Sequence, residues 1–72
     1  MQIYVRTLSG KLITLDVESY DTLEVIKQHV EDADNSPPTQ YNLIFAGKEL
    51  DNTKTLSDYY IQGGTTLYCE NK

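Results

Sequence analysis

Leu43-Ile44-Phe45-Ala46-Gly47-Lys48 carries the pattern of a tight hairpin. In a strand beginning at Tyr41, Leu43 and Phe45 alternate onto one face, Ala46-Gly47 reverses the chain, and a short segment over 48–50 returns beside it. On its N-terminal side, Met1, Ile3 and Val5 alternate with Gln2, Tyr4 and Arg6, and Ile13, Leu15 and Val17 alternate with Leu12, Thr14 and Asp16. Period-two alternation of this kind predicts half-buried strands over 1–7 and 11–17, joined through Leu8-Ser9-Gly10, with Gly10 suited to positive φ. Between the two hairpins, Leu23, Ile26 and Val30 recur at helical spacing. Thr22 is the expected N-cap, with Asp21 and Glu24 near the positive end of the helix dipole. Asn35 suits a left-handed stop and Pro37-Pro38 lacks donors, so the helix should end near Asp34.

On the C-terminal side, Leu56, Tyr59 and Ile61 are too closely spaced for a strand and predict a short helical turn. Gly63-Gly64 breaks the chain before a last strand over 65–70, with Leu67 and Cys69 facing inward. A sheet with a single helix must lay that helix across its apolar face, and a right-handed crossover brings the last strand parallel to the first. The expected class is therefore α+β: a β-grasp, with a mixed sheet of four to five strands packed on one helix, as one domain over residues 1–72.

Composition narrows the function. Eleven acidic residues against six basic ones give a net charge of -5, the wrong sign for holding phosphates, so direct nucleic-acid binding is not expected. No apolar run approaches the roughly 20 residues that cross a bilayer, and no charged n-region precedes an apolar h-region. An intracellular, reducing setting is the default. One cysteine and one histidine make neither an internal disulfide nor a zinc set; no metal and no cofactor are expected. A nucleophile would need Cys69 activated by His29, yet Cys69 alternates with Leu67 as a core thiol and His29 falls on the outer side of the helix. Gly63-Gly64 is not followed by a helix and makes no phosphate cradle. The expectation is a chain that is not an enzyme.

The segment 1–11, Met1-Gln2-Ile3-Tyr4-Val5-Arg6-Thr7-Leu8-Ser9-Gly10-Lys11, resembles the opening of the ubiquitin family. Pro37-Pro38, the stretch 43–48, Thr55-Leu56-Ser57-Asp58-Tyr59 and Ile61-Gln62 continue that resemblance in the same order and register, without a gap. The resemblance implies a receptor-binding face at Leu8, Ile44, Gly47, Tyr68 and Glu70, where Tyr68 replaces a histidine and Glu70 replaces an aliphatic residue. It implies a second patch at Gln2, Tyr4 and Leu12, and acceptor lysines at Lys11, Lys27 and Lys48; Ala33 and Gly63 lack theirs, and a third patch is lost to Ser36 and Asn71. Tyr59 matches a buried tyrosine whose hydroxyl meets backbone near Asp51. Tyr4 and Tyr68 should face outward on strands, and Tyr20, Tyr41 and Tyr60 carry no special role.

Departures from the family shape the functional expectation. Asn42 stands where activating enzymes of the family read an arginine, and Cys69-Glu70-Asn71-Lys72 stands in place of a Gly-Gly tail. With Met1 at the start, these point to a ubiquitin-like interaction or fusion module that is not conjugated. The expected setting is the N-terminal domain of a small-subunit ribosomal protein fusion, reaching the ribosome through a fused C-terminal domain. The alternatives are a protein modifier whose tail lies outside these residues, and a domain of a degradation adaptor. Protein partners, a monomeric state, and a location in the cytoplasm extending to the nucleus complete the expectation.

Overall fold

In the computed structural model, which describes residues 1–72, the first hairpin follows from alternation. Strand β1 (Gln2–Arg6) pairs antiparallel with β2 (Leu12–Asp16), setting Ile3 opposite Leu15 and Val5 opposite Ile13. In the connection, Thr7 Oγ1 accepts from the Lys11 amide at 3.1 Å, and Gly10 takes φ 89°. Helix α1 (Leu23–Asp34) begins where Thr22 Oγ1 accepts from the Val25 amide at 3.3 Å. It ends where Asn35, at φ 58°, donates its amide to Glu31 O at 2.7 Å. Both ends stand where the capping residues predict them.

The second hairpin joins β3 (Tyr41–Phe45) to β4 (Lys48–Glu49). Ala46 at φ 53° and Gly47 at φ 75° are both left-handed, the two-residue geometry that matches strand twist in a tight hairpin. Leu50, just past β4, donates its amide to Leu43 O and is buried. Strand β5 (Thr66–Asn71) then runs parallel to β1 and antiparallel to β3, giving the sheet order β2-β1-β5-β3-β4. This mixed five-stranded sheet on one helix is the expected β-grasp.

The helix stripe of Leu23, Ile26 and Val30 is completely buried in a 13-residue cluster with inward residues of the sheet, among them Ile3, Val5, Leu43 and Leu67. Tyr41 is fully buried in that cluster, because two positions before Leu43 it shares the inner face of β3. One expectation needs correction here. His29, placed on the solvated side of the helix, is half-buried, since it adjoins Val30 at the margin of the stripe.

The segment between β4 and β5 is held by backbone bonds to the stretch before α1, among them Leu56 N–H to Asp21 O and Ser57 N–H to Ser19 O, and by side chains. A 3₁₀ turn forms over Ser57–Tyr59 as predicted, and the Tyr59 hydroxyl accepts the Asp51 amide at 2.8 Å. Tyr59→Phe should cost about 1 kcal/mol in a denaturant titration, the usual net worth of one such bond; an unchanged midpoint would mean that the ring alone holds the loop. Thr55 and Asp58 exchange bonds, with the Thr55 amide donating to Asp58 Oδ2 at 2.9 Å and the Asp58 amide to Thr55 Oγ1 at 3.1 Å. The Thr55 backbone bond, then the Thr55 side-chain bond, hold the Asp58 carboxyl below its ordinary pKa. A depressed folded pKa stabilises the fold above the unfolded carboxylate value of about 3.9, and that contribution is lost as pH falls through the folded value. Asp58→Asn should therefore flatten the acidic arm of a stability-versus-pH curve below about pH 4. An arm of unchanged slope would show that other carboxylates govern it.

Candidate functional site

Because side chains alternate across a strand, the outer face of the sheet collects the residues that the core does not use. Tyr68 on β5 stands opposite Ile44 on β3 and beside Arg6 on β1, and Arg6 in turn stands opposite Leu12 on β2. One row therefore crosses four strands: Leu12, Arg6, Tyr68, Ile44. In the adjacent row Glu70 faces Asn42. The parallel sense of β1 and β5 carries Leu8, two residues past Arg6, toward the end of the sheet reached by Glu70. Gly47 occupies the hairpin turn shortly after Ile44. Tyr4, half-buried, lies opposite Thr14 and Thr66, so Gln2, Tyr4 and Leu12 share this outer face.

The apolar character of this face is unevenly offered. Leu8, Leu12 and Tyr68 are exposed, but Ile44 is only 8% exposed although it lies outside the core cluster. The expectation that Ile44 forms an open apolar centre is corrected accordingly. Its registered neighbours are Tyr68 and Glu49, and the larger of these, the Tyr68 ring, is the side chain able to cover it. Glu70 is exposed and has no cation within salt-bridge distance.

The three lysines separate. Lys48 is exposed, and Lys11 is exposed with Nζ 3.7 Å from Asp34 Oδ1. Lys27, expected as an acceptor alongside them, is instead 2% exposed. Its Nζ donates to Tyr41 O at 3.1 Å and stands 5.4 Å from the centre of the Tyr41 ring, and the Tyr41 hydroxyl reaches Lys27 O at 3.5 Å. Burial, then the nearby Lys72 charge, lowers the Lys27 pKa; burial raises that of the Tyr41 phenol. An amine packed this way is withheld from any enzyme that must approach it. The pair is visible in retrospect: Lys27 adjoins Ile26 on a stripe running 23, 26, 27, 30, and Tyr41 obeys the alternation of β3.

Cys69 is half-buried against the core, and burial pushes its thiol up to about 11. At neutral pH it is a protonated packing group, as the sequence predicts, and supplies no thiolate.

Comparison with known proteins agrees with this geometry. The sequence model described as the ubiquitin family matches residues 3–71. The chain is 43% identical over 68 residues to "Ubiquitin-like protein NEDD8" of Dictyostelium discoideum, covering 94% of this chain and 88% of that protein. It is 41% identical over 68 residues to "Ubiquitin-like protein 1" of Schizosaccharomyces pombe, covering 94% and 87%. It is 39% identical over 67 residues to "Ubiquitin-like protein 4A" of Plecturocebus moloch, where it spans 93% of this chain but 43% of that one.

Proposed function

From a chain that belongs to the ubiquitin family, we propose a protein-recognition module that presents the outer face of its sheet to receptors, with Ile44 as the apolar contact and Tyr68 and Glu70 as the gate over it. The observation that carries this reading is the β3–β5 register, which sets Tyr68 directly against Ile44 and Glu70 directly against Asn42. Titration of the isotope-labelled chain with a ubiquitin-receptor domain is the test. Resonance shifts should cluster on Leu8, Ile44, Gly47 and Tyr68. Shifts confined to the helix side would overturn the assignment.

The wider setting we propose is that of a protein modifier. Its support is identity: the chain is 43% and 41% identical to the proteins named NEDD8 and Ubiquitin-like protein 1. The alternative is the fusion arrangement. The product of the natural open reading frame, incubated with activating enzyme and ATP, separates the two. A thioester marks the modifier; an uncharged larger product marks a fusion or an adaptor.

A further inference from the structure

Of the large apolar side chains that the fold leaves exposed, Tyr60 at 87% and Tyr20 at 72% are the most open, and neither lies on a strand. They are far apart in sequence, yet their backbones are joined through one residue. Ser57 donates its amide to Ser19 O at 2.9 Å and accepts the Tyr60 amide at 3.1 Å, while the Leu56 amide donates to Asp21 O on the other side of Tyr20. Only the Tyr41 and Tyr59 hydroxyls bond within the chain, so the phenols of Tyr20 and Tyr60 keep ring and hydroxyl free. Tyr60 is also held at φ 57°, a left-handed conformation that the Cβ of a bulky residue opposes. The end of α1 meets the same demand with Asn35. At Tyr60 the chain instead keeps a ring that buries almost nothing, a local conflict that core packing does not offset.

The surroundings set the sign of what can meet these rings. The two joined segments, 18–22 and 54–62, hold three carboxylates, Glu18, Asp21 and Asp58, against one cation, Lys54. None of the three belongs to an ion pair. Asp21 and Asp58 each use Oδ2 on a backbone amide and leave Oδ1 unbonded, and the Glu18 carboxylate accepts nothing. We propose that Tyr20 and Tyr60 dock an arginine-bearing segment of a partner protein, its guanidinium groups stacking on the phenol faces and donating to the free oxygens of Glu18, Asp21 and Asp58. A guanidinium is planar, cationic and weakly hydrated, so it satisfies an aromatic face and a carboxylate together. The net charge of -5 draws such a segment in, whereas nucleic-acid phosphates and anionic lipids are repelled. This surface shares no residue with the receptor face proposed above, and the failure of one leaves the other standing.

The test titrates the intact isotope-labelled chain with acetyl-Gly-Arg-Gly-Arg-Gly-amide and with its citrulline counterpart, in which a neutral urea replaces each guanidinium. The arginine peptide should move the Tyr20 and Tyr60 ring resonances and the Ser57 amide saturably, with affinity about tenfold above that of the citrulline peptide. Tyr60→Asn, which suits the left-handed position, should raise the denaturant midpoint and weaken the arginine peptide about threefold; adding Tyr20→Ser should bring the loss to about tenfold. Equal responses to the two peptides, or an undiminished response in the double variant, would overturn the proposal. Shifts centred on Leu8 and Tyr68 would do the same, by placing the peptide on the receptor face. A lowered midpoint in Tyr60→Asn would show the ring to be a packing group and overturn its assignment to a partner.

Discussion

Tyr41→Ala should cost about 3–5 kcal/mol in a denaturant titration, the range for truncating a large aromatic in a core. Tyr41 heads the fully buried side chains by volume and belongs to the 13-residue core cluster. A domain of this size has roughly 5–15 kcal/mol in total, so the variant should stand near the unfolding threshold at room temperature. The backbone carbonyl that accepts from Lys27 survives the substitution, which isolates the ring as the cause. Tyr41→Phe is the control. Its hydroxyl reaches Lys27 O only at 3.5 Å, the outer edge of a hydrogen bond, so removing it should cost less than about 1 kcal/mol. If Phe proved as damaging as Ala, the hydroxyl and not the ring would hold β3 to the helix.

Glu70→Val with Tyr68→His should strengthen binding to a ubiquitin-receptor domain by roughly ten- to hundredfold. Pressing an unpaired carboxylate against an apolar partner costs about 1–3 kcal/mol or more, which is that factor in affinity. Glu70 has no cation to satisfy it, and its cross-strand neighbour Asn42 offers only an amide. Tyr68 contributes separately, because the residue it faces, Ile44, is 8% exposed and must be uncovered before a receptor touches it. Ile44→Ala in the repaired background should abolish the gain, as measured by the dissociation constant from the same titration. Receptor affinity in the unmodified chain equal to that of the double variant would refute the gate. Recovery that survives Ile44→Ala would place the contact elsewhere on the face.

Local physical chemistry accounts for most of the fold. Thr22 and Asn35 delimit α1 because capping is decided within a turn of the helix end, and Ala46-Gly47 makes its hairpin because only a left-handed pair matches the twist of the strands. Period-two and period-3.6 alternation places Ile3, Leu15, Ile26 and Leu67 in the core, since an apolar side chain on a regular element has one face available to it. The same patterns put Gln2, Tyr4, Leu12, Tyr68 and Glu70 on the outer side of the sheet.

What alternation does not contain is how neighbours from distant segments share space. It assigns Ile44 outward, yet only the tertiary structure shows that it is left 8% exposed, in β3–β5 register with Tyr68. Lys27 reads as one more helix lysine until β3 and the end of β5 close around it, leaving its ammonium with a carbonyl, an aromatic ring and no counter-charge. The sequence by itself determined the five strands, the helix and its caps, because these depend on residues a few positions apart. Exposure and charge compensation were decided by the tertiary structure, because desolvation and Coulomb energies depend on every group within several ångströms, whatever its place in the chain.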